Sequence, residues 1–196
     1  MDEEITIIDT KTRNEKIKVF LIKNKRILIS IIAFLIILIL SIYSYQIYKG
    51  VHKEGISEKY NNAVLEYENG DKFKSVTLMK EVIEDRDNTY SPLALYFLID
   101  NNLIEDKNEI NVLFDLIIKK TSLELEIKNL IIYKKALFNA DTSNENELID
   151  LLNPLINSDS VWKSHALYLA AEYFYSNKEK QKSKEFFNEI LNTENA

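Results

Sequence analysis

Residues Ala63–Val82 read AVLEYENGDKFKSVTLMKEV, and residues Ala171–Ile190 read AEYFYSNKEKQKSKEFFNEI. In both stretches an alanine is followed 12 residues later by a serine, then by large apolar residues at steps of 4 and 3: Ala63, Ser75, Met79, Val82 and Ala171, Ser183, Phe187, Ile190. Steps of three and four keep to one face of a helix. Asn69-Gly70-Asp71 in the first stretch and Asn177-Lys178 in the second break the helical pattern midway. Each stretch therefore reads as two helices joined by a tight turn. The small pair lets the helices approach closely, and the large residues fill the gap to a neighbouring unit.

The same spacing extends across the chain beyond residue 56. Only Gly70, Pro92 and Pro154 punctuate it, and no hairpin or strand alternation is present. Helices are expected near 57–69, 72–86, 91–104, 108–120, 124–140, 145–157, 161–176 and 179–192, with Ser91-Pro92 as an N-cap followed by proline at the first helical position. Short connections make consecutive helices antiparallel hairpins. The hairpins start near 57, 91, 124 and 160, close to the 34-residue tetratricopeptide period. The fold expected is all-α: one N-terminal transmembrane helix, then a TPR-like α-solenoid of about four helical hairpins. Ala94-Leu95-Tyr96 echoes Ala166-Leu167-Tyr168, but the middle units are degenerate and the register slips in the loop that follows. Leu113, Leu116 and Ile117, with Leu148, Leu151 and Leu152, are expected in the core.

Upstream, ILISIIAFLIILILSIYSYQIY at 27–48 has no charged residue between Arg26 and Lys49. At about 1.5 Å per residue it reaches roughly 33 Å, enough for a hydrocarbon core of about 30 Å. Twelve of the fourteen residues Ile27–Leu40 are Ile, Leu or Phe. Together they favour insertion by roughly 4–7 kcal/mol. A cleaved signal peptide fits badly: the run is too long, and its exit (Tyr43, Tyr45, Tyr48) offers no small-residue cleavage site. Residues 12–26 hold six Lys/Arg against three in 49–63, which places the N-terminus in the cytoplasm and the C-terminal part across the membrane. The division expected is an arm at 1–26, the anchor at 27–48, a linker at 49–56 and the repeat domain at 57–196.

From Gly50 onward there are 17 Lys/Arg and 26 Asp/Glu, a net charge of −9. Such a domain is not built for nucleic acid or for lying on anionic lipid. The chain has no cysteine, which removes disulfides, thiol chemistry and lipidation at a lipobox. It has no Gly-rich phosphate loop, no H-E-x-x-H and no G-x-S-x-G. His52 belongs in solvent just outside the membrane. His165, beside Trp162 and Ala166, reads as packed or groove-facing, and Glu145 and Glu147 as a solvated surface. No catalytic residue, metal ligand or cofactor site is expected, and the protein is not expected to be an enzyme.

Two binding surfaces stand out. Tyr60 and Tyr67, and again Tyr168 and Tyr175, sit three before and four after the small residues Ala63 and Ala171. With Tyr96 and His165 they form a candidate peptide groove on the first helices, which Tyr133 extends. The other reading is that these rings pack between units. Ser30, Ala33, Ser41 and Ser44 fall within about 80° on one face of the anchor, where small residues let another membrane helix dock. In the arm, Ile17, Phe20 and Leu21 form the apolar side of a short interfacial helix, and its basic part suits anionic lipid.

NEKIKVFLIKNKR at 14–26 and WKSHALYLAAEYFYSNKEKQKSKEFFNEIL from Trp162 carry a resemblance to the YfgM-like tetratricopeptide proteins, ancillary subunits of the bacterial Sec translocon. The resemblance covers nearly the whole chain: basic arm, single anchor, repeat domain. The chain departs from the family where Asn177-Lys178-Glu179 replaces a glycine-aspartate turn and where Ser183 stands for Ala or Gly. The resemblance implies a bacterial inner-membrane protein with a periplasmic repeat domain. Its implied partners are Sec translocon subunits, secretory or periplasmic polypeptides, chaperones and membrane lipid. The alternatives are a structural scaffold of another cell-envelope complex, and an inhibitor of a cytoplasmic regulator acting through the arm.

Overall fold

The computed structural model describes residues 15, 16 and 18–194. Ile17 and most of the arm, including Arg13, lie outside the described residues. The fold is all-helical: α1 Lys25–Glu68, α2 Lys72–Glu84, α3 Tyr90–Asp100, α4 Lys107–Lys120, α5 Leu125–Asn139, α6 Glu145–Ile156, α7 Lys163–Ser176 and α8 Lys180–Glu194. Two compact units divide between His52 and Lys53, inside α1.

In the first unit, α1 holds a segment long and apolar enough to cross a membrane. Every side chain from Ile29 to Tyr48 is exposed, so this segment has no protein core of its own to enter. Ser41 Oγ donates to the carbonyl of Ile37 (2.8 Å), which satisfies its polar group within the helix. Residues 49–56, expected as a linker, are helical in α1. Gly50 and Gly55 weaken a helix without breaking it, by about 1 kcal/mol each.

In the second unit, helical hairpins pack in sequence order around two apolar clusters. The first joins Ile56, Ala63, Met79, Val82, Ile83, Ala94, Leu95, Leu98, Ile110, Phe114, Ile117 and Ile131. The second joins Ala136, Leu148, Leu152, Leu155, Ala166, Leu167 and Ala170. Helix α5 bridges them, giving Ile131 to one and Ala136 to the other. Ala63, Ser75, Ala171 and Ser183 are all buried, as the close approach of paired helices requires. Of the expected core, Leu113, Ile117, Leu148 and Leu152 are buried, and Leu116 and Leu151 are partly buried.

The middle units are more regular than their sequences suggest. Ala136, Leu148, Leu152 and Leu155 repeat the spacing 12, 4, 3, and all four are buried. The second unit keeps the steps of 4 and 3 but lengthens the 12 to 15, because its turn is three residues longer. Gly70 (φ 90), Asn102 (φ 49) and Lys178 (φ 66) are left-handed residues that end α1, α3 and α7. Each is followed by the same pair of closing bonds: Asp71 N to Glu66 O, Leu103 N to Leu98 O and Glu179 N to Phe174 O span five residues, and the left-handed residue itself bonds back three. From these caps, Ser75 and Ser183 lie five residues on, and Ile110 lies eight on. Three extra residues in the second turn displace α4, after which Ile110, Phe114 and Ile117 fall into the common pattern.

Two boundaries differ from the sequence reading for local reasons. Helix α3 stops at Asp100 rather than 104, because Asn102 takes the left-handed cap and sends Leu103 and Ile104 back against the first cluster. Its start is not capped by Ser91. Asp87 accepts from the backbone N–H groups of Thr89 and Tyr90 (2.8 Å each), while buried Ser91 donates its hydroxyl to Val82 O (3.0 Å) at the end of α2. Elsewhere Asp71 and Asp106 cap α2 and α4, and Asn144 with Glu147 forms a reciprocal box on α6.

Lys178 takes the left-handed cap position that Gly70 fills in the first unit, and a lysine in left-handed backbone costs about 1 kcal/mol relative to glycine. Lys178→Gly is expected to raise the melting temperature by about 2–4 °C, and Gly70→Ala to lower it by a similar amount. Thermal unfolding of the purified chain in detergent, followed by circular dichroism, measures both; an unchanged or lower midpoint for Lys178→Gly would contradict the cap geometry.

Candidate functional site

The first helices of successive units, α1, α3, α5 and α7, are joined by side-chain hydrogen bonds between α1 and α3 and between α5 and α7. Tyr90 Oη on α3 donates to Ser57 Oγ on α1 (2.9 Å). Before α7, Ser160 Oγ donates to Glu126 Oε2 (2.7 Å), and Trp162 Nε1 donates to the carbonyl of Glu126 on α5 (3.1 Å). Between α3 and α5 the span is made instead by Lys134, whose ammonium lies 4.4 Å from the centre of the Tyr96 ring. A furrow opens between these two helices.

Its larger recess, about 380 Å³, is walled by Pro92, Leu93, Tyr96, Ile127 and Leu130, with Asn88, Thr89 and Glu124 at the rim. Leu93 and Ile127 are 42% and 41% exposed. On the other side of Tyr96 a recess of about 170 Å³ is lined by Ile99, Asp100, Phe114, Lys134, Leu137 and Phe138. Tyr96 is the wall between them. Its hydroxyl is buried without a hydrogen-bond partner. Burial pushes the phenol up to about 12, so it stays neutral at any physiological pH. An apolar trough with a polar rim suits an extended polypeptide segment with apolar side chains.

The other groove residues separate into two groups. Tyr60 and Tyr67 are half-buried between first helices: Tyr60 lies 5.7 Å from Tyr90, and Tyr67 meets Phe97 edge-on at 5.3 Å. They pack between units, because α3 brings Phe97 into the space a peptide would need. His165 is exposed but sits in a ring cluster, 5.2 Å from Trp162 and 5.8 Å from Tyr133. Tyr168 and Tyr175 are 53% and 61% exposed on α7, away from the furrow residues. Of the candidate groove residues, only Tyr96 lines the furrow. Leu93, Ile127 and Leu130 were not expected there; the available signal was that Leu93 and Ile127 are apolar yet off the buried stripes of α3 and α5. Ser30, Ala33, Ser41 and Ser44 are all exposed on α1.

Among the described residues no group of three or more His, Asp or Glu side chains is placed to hold a metal ion. The other large recess, about 510 Å³ between α1 and α2, is bordered by polar side chains, with Lys59 paired to Asp85 (2.7 Å) and Lys74 to Glu66. Comparison with family models, curated proteins and solved structures finds no match for this chain.

Proposed function

We propose that this chain is a single-pass, membrane-tethered binding module whose furrow beside Tyr96 holds an extended apolar segment of another polypeptide. The observation that carries this reading is the apolar recess between α3 and α5, walled by Pro92, Leu93, Tyr96, Ile127 and Leu130. The charge-free segment of α1 supports the tether, and the excess of Lys/Arg before it supports a cytoplasmic arm and a translocated repeat domain. The resemblance to the YfgM-like family extends the proposal. The chain would be an ancillary Sec-translocon subunit of a bacterial inner membrane, passing secretory polypeptides to periplasmic chaperones. The small-residue face Ser30, Ala33, Ser41 and Ser44 is the surface offered to a translocon helix.

The test is a photocrosslinking residue at Leu93 or Ile127 in native membranes, with Val112, exposed on α4, as control. Expected are crosslinks to unfolded secretory polypeptides from the two furrow positions and not from Val112. Tyr96→Ala, which opens the wall of the trough, is expected to reduce that capture several-fold with helicity retained. Crosslinks to one resident envelope protein would favour the scaffold reading. Equal crosslinking from Val112 would remove the furrow as the site.

A further inference from the structure

The tyrosine three residues before the buried alanine recurs as Tyr60, Tyr133 and Tyr168, before Ala63, Ala136 and Ala171. The first two are covered by aromatic rings from the next unit. Tyr60 lies 5.7 Å from Tyr90 and 6.5 Å from Phe97, and Tyr133 stacks on Trp162 at 5.8 Å. Tyr168 touches Phe187 of its own unit edge-on at 5.8 Å and remains 53% exposed. Among the described residues no first helix follows α8 to cover it. Tyr175 is 61% exposed, although its counterpart Tyr67 packs on Phe97. The last hairpin thus presents the surface that is covered inside the stack.

We propose that two copies of this chain pair tail to tail through α7, each covering the other's Tyr168 and Tyr175. The inter-unit interface continues into this face, and aromatic rings are what cover it at the earlier junctions. The face is also self-complementary. Val161 (70% exposed), in the turn that enters α7, Tyr168 and Tyr175 are spaced seven apart in sequence, with Tyr168 at the middle. An antiparallel second copy lays Tyr168 on Tyr168 and Val161 on Tyr175. Aromatic pairs add to the area buried, and a two-fold interface closes on itself. A head-to-tail stack lacks such a match, since the face of α1 turned away from α3 carries exposed Glu58, Asn61 and Asn62 with one leucine, Leu65.

The absence of cysteine makes the test direct. In the full chain in detergent, Tyr168→Cys lies on the two-fold axis and is expected to form a disulfide-linked dimer on mild oxidation, with Asn62→Cys staying monomeric. Light scattering is expected to give a dimer for the unaltered chain. The double variant Tyr168→Glu/Tyr175→Glu is expected to weaken dimerisation at least about thirty-fold, with unchanged helicity. A monomer for the unaltered chain, equal crosslinking through Asn62→Cys, or a dimer that survives the double variant would overturn the proposal; the last would assign pairing to the membrane helix instead.

Discussion

Arginine at both Ile32 and Ile36 is expected to move the chain from the membrane fraction to the soluble or aggregated one. Each substitution costs about 3 kcal/mol at the centre of a span and forfeits the few tenths that isoleucine contributes. Two therefore cost about 7 kcal/mol, against the roughly 4–7 kcal/mol by which Ile27–Leu40 favours insertion. Both positions lie in the interval without charge and are exposed in α1, so their removal leaves the packing of the repeat domain untouched. Alkaline extraction of membranes followed by flotation measures the outcome. A chain that stays embedded with both arginines would mean that this segment is held by protein partners more than by lipid, which would strengthen the case for a docking helix at Ser30, Ala33, Ser41 and Ser44. Leucine at the same two positions is expected to change nothing.

Phe114→Ala is expected to destabilise the repeat domain by about 3–5 kcal/mol and to lower its melting temperature on the order of 10 °C. Phe114 is fully buried in α4, lies 6.0 Å from the Phe138 ring and borders the smaller recess beside Tyr96. Truncation removes contact area inside the first core cluster and enlarges the recess that Phe114 shares with Tyr96 and Phe138. Phe114→Leu, which keeps much of the volume, is expected to lose distinctly less. Thermal and denaturant unfolding of the full chain measure both. A loss below about 1 kcal/mol for Phe114→Ala would show that the α3–α5 junction is already loosely packed.

The ion pairs contribute less. Lys135 and Lys182 lie 2.8 Å from Asp115 and Glu145, but these carboxylates are about two-fifths exposed. Such pairs are typically worth under about 1 kcal/mol. Burial alone would push Asp115 up. Its bond to Lys135 and the charges of Lys135 and Lys119 outweigh that and hold the carboxyl below its usual range. A depressed carboxylate stabilises the fold above its ordinary value and loses that contribution as pH falls through the lowered one.

Helix positions and the paired small residues were legible because they depend on local rules. Ala63 with Ser75 and Ala171 with Ser183 could be found by counting, and burial followed from the spacing. The second unit's repeat was hidden by three residues inserted after Asn102, and the third by Leu148 standing where the outer units have serine. Aromatic positions were visible as a pattern, but their roles were not. Tyr60 and Tyr168 occupy the same place in their units, yet Tyr90 and Phe97 pack against Tyr60 while Tyr168 is left exposed among the described residues.

By itself the sequence determined an all-helical chain of hairpins with one segment apolar enough for a membrane, since periodicity, turn residues and absence of charge are properties of neighbours in the chain. Tertiary structure alone decided where the stack is open. The furrow at Tyr96 and the exposed rings of Tyr168 and Tyr175 arise from which helices meet, and a gap between helices is set by the fit of residues far apart in sequence.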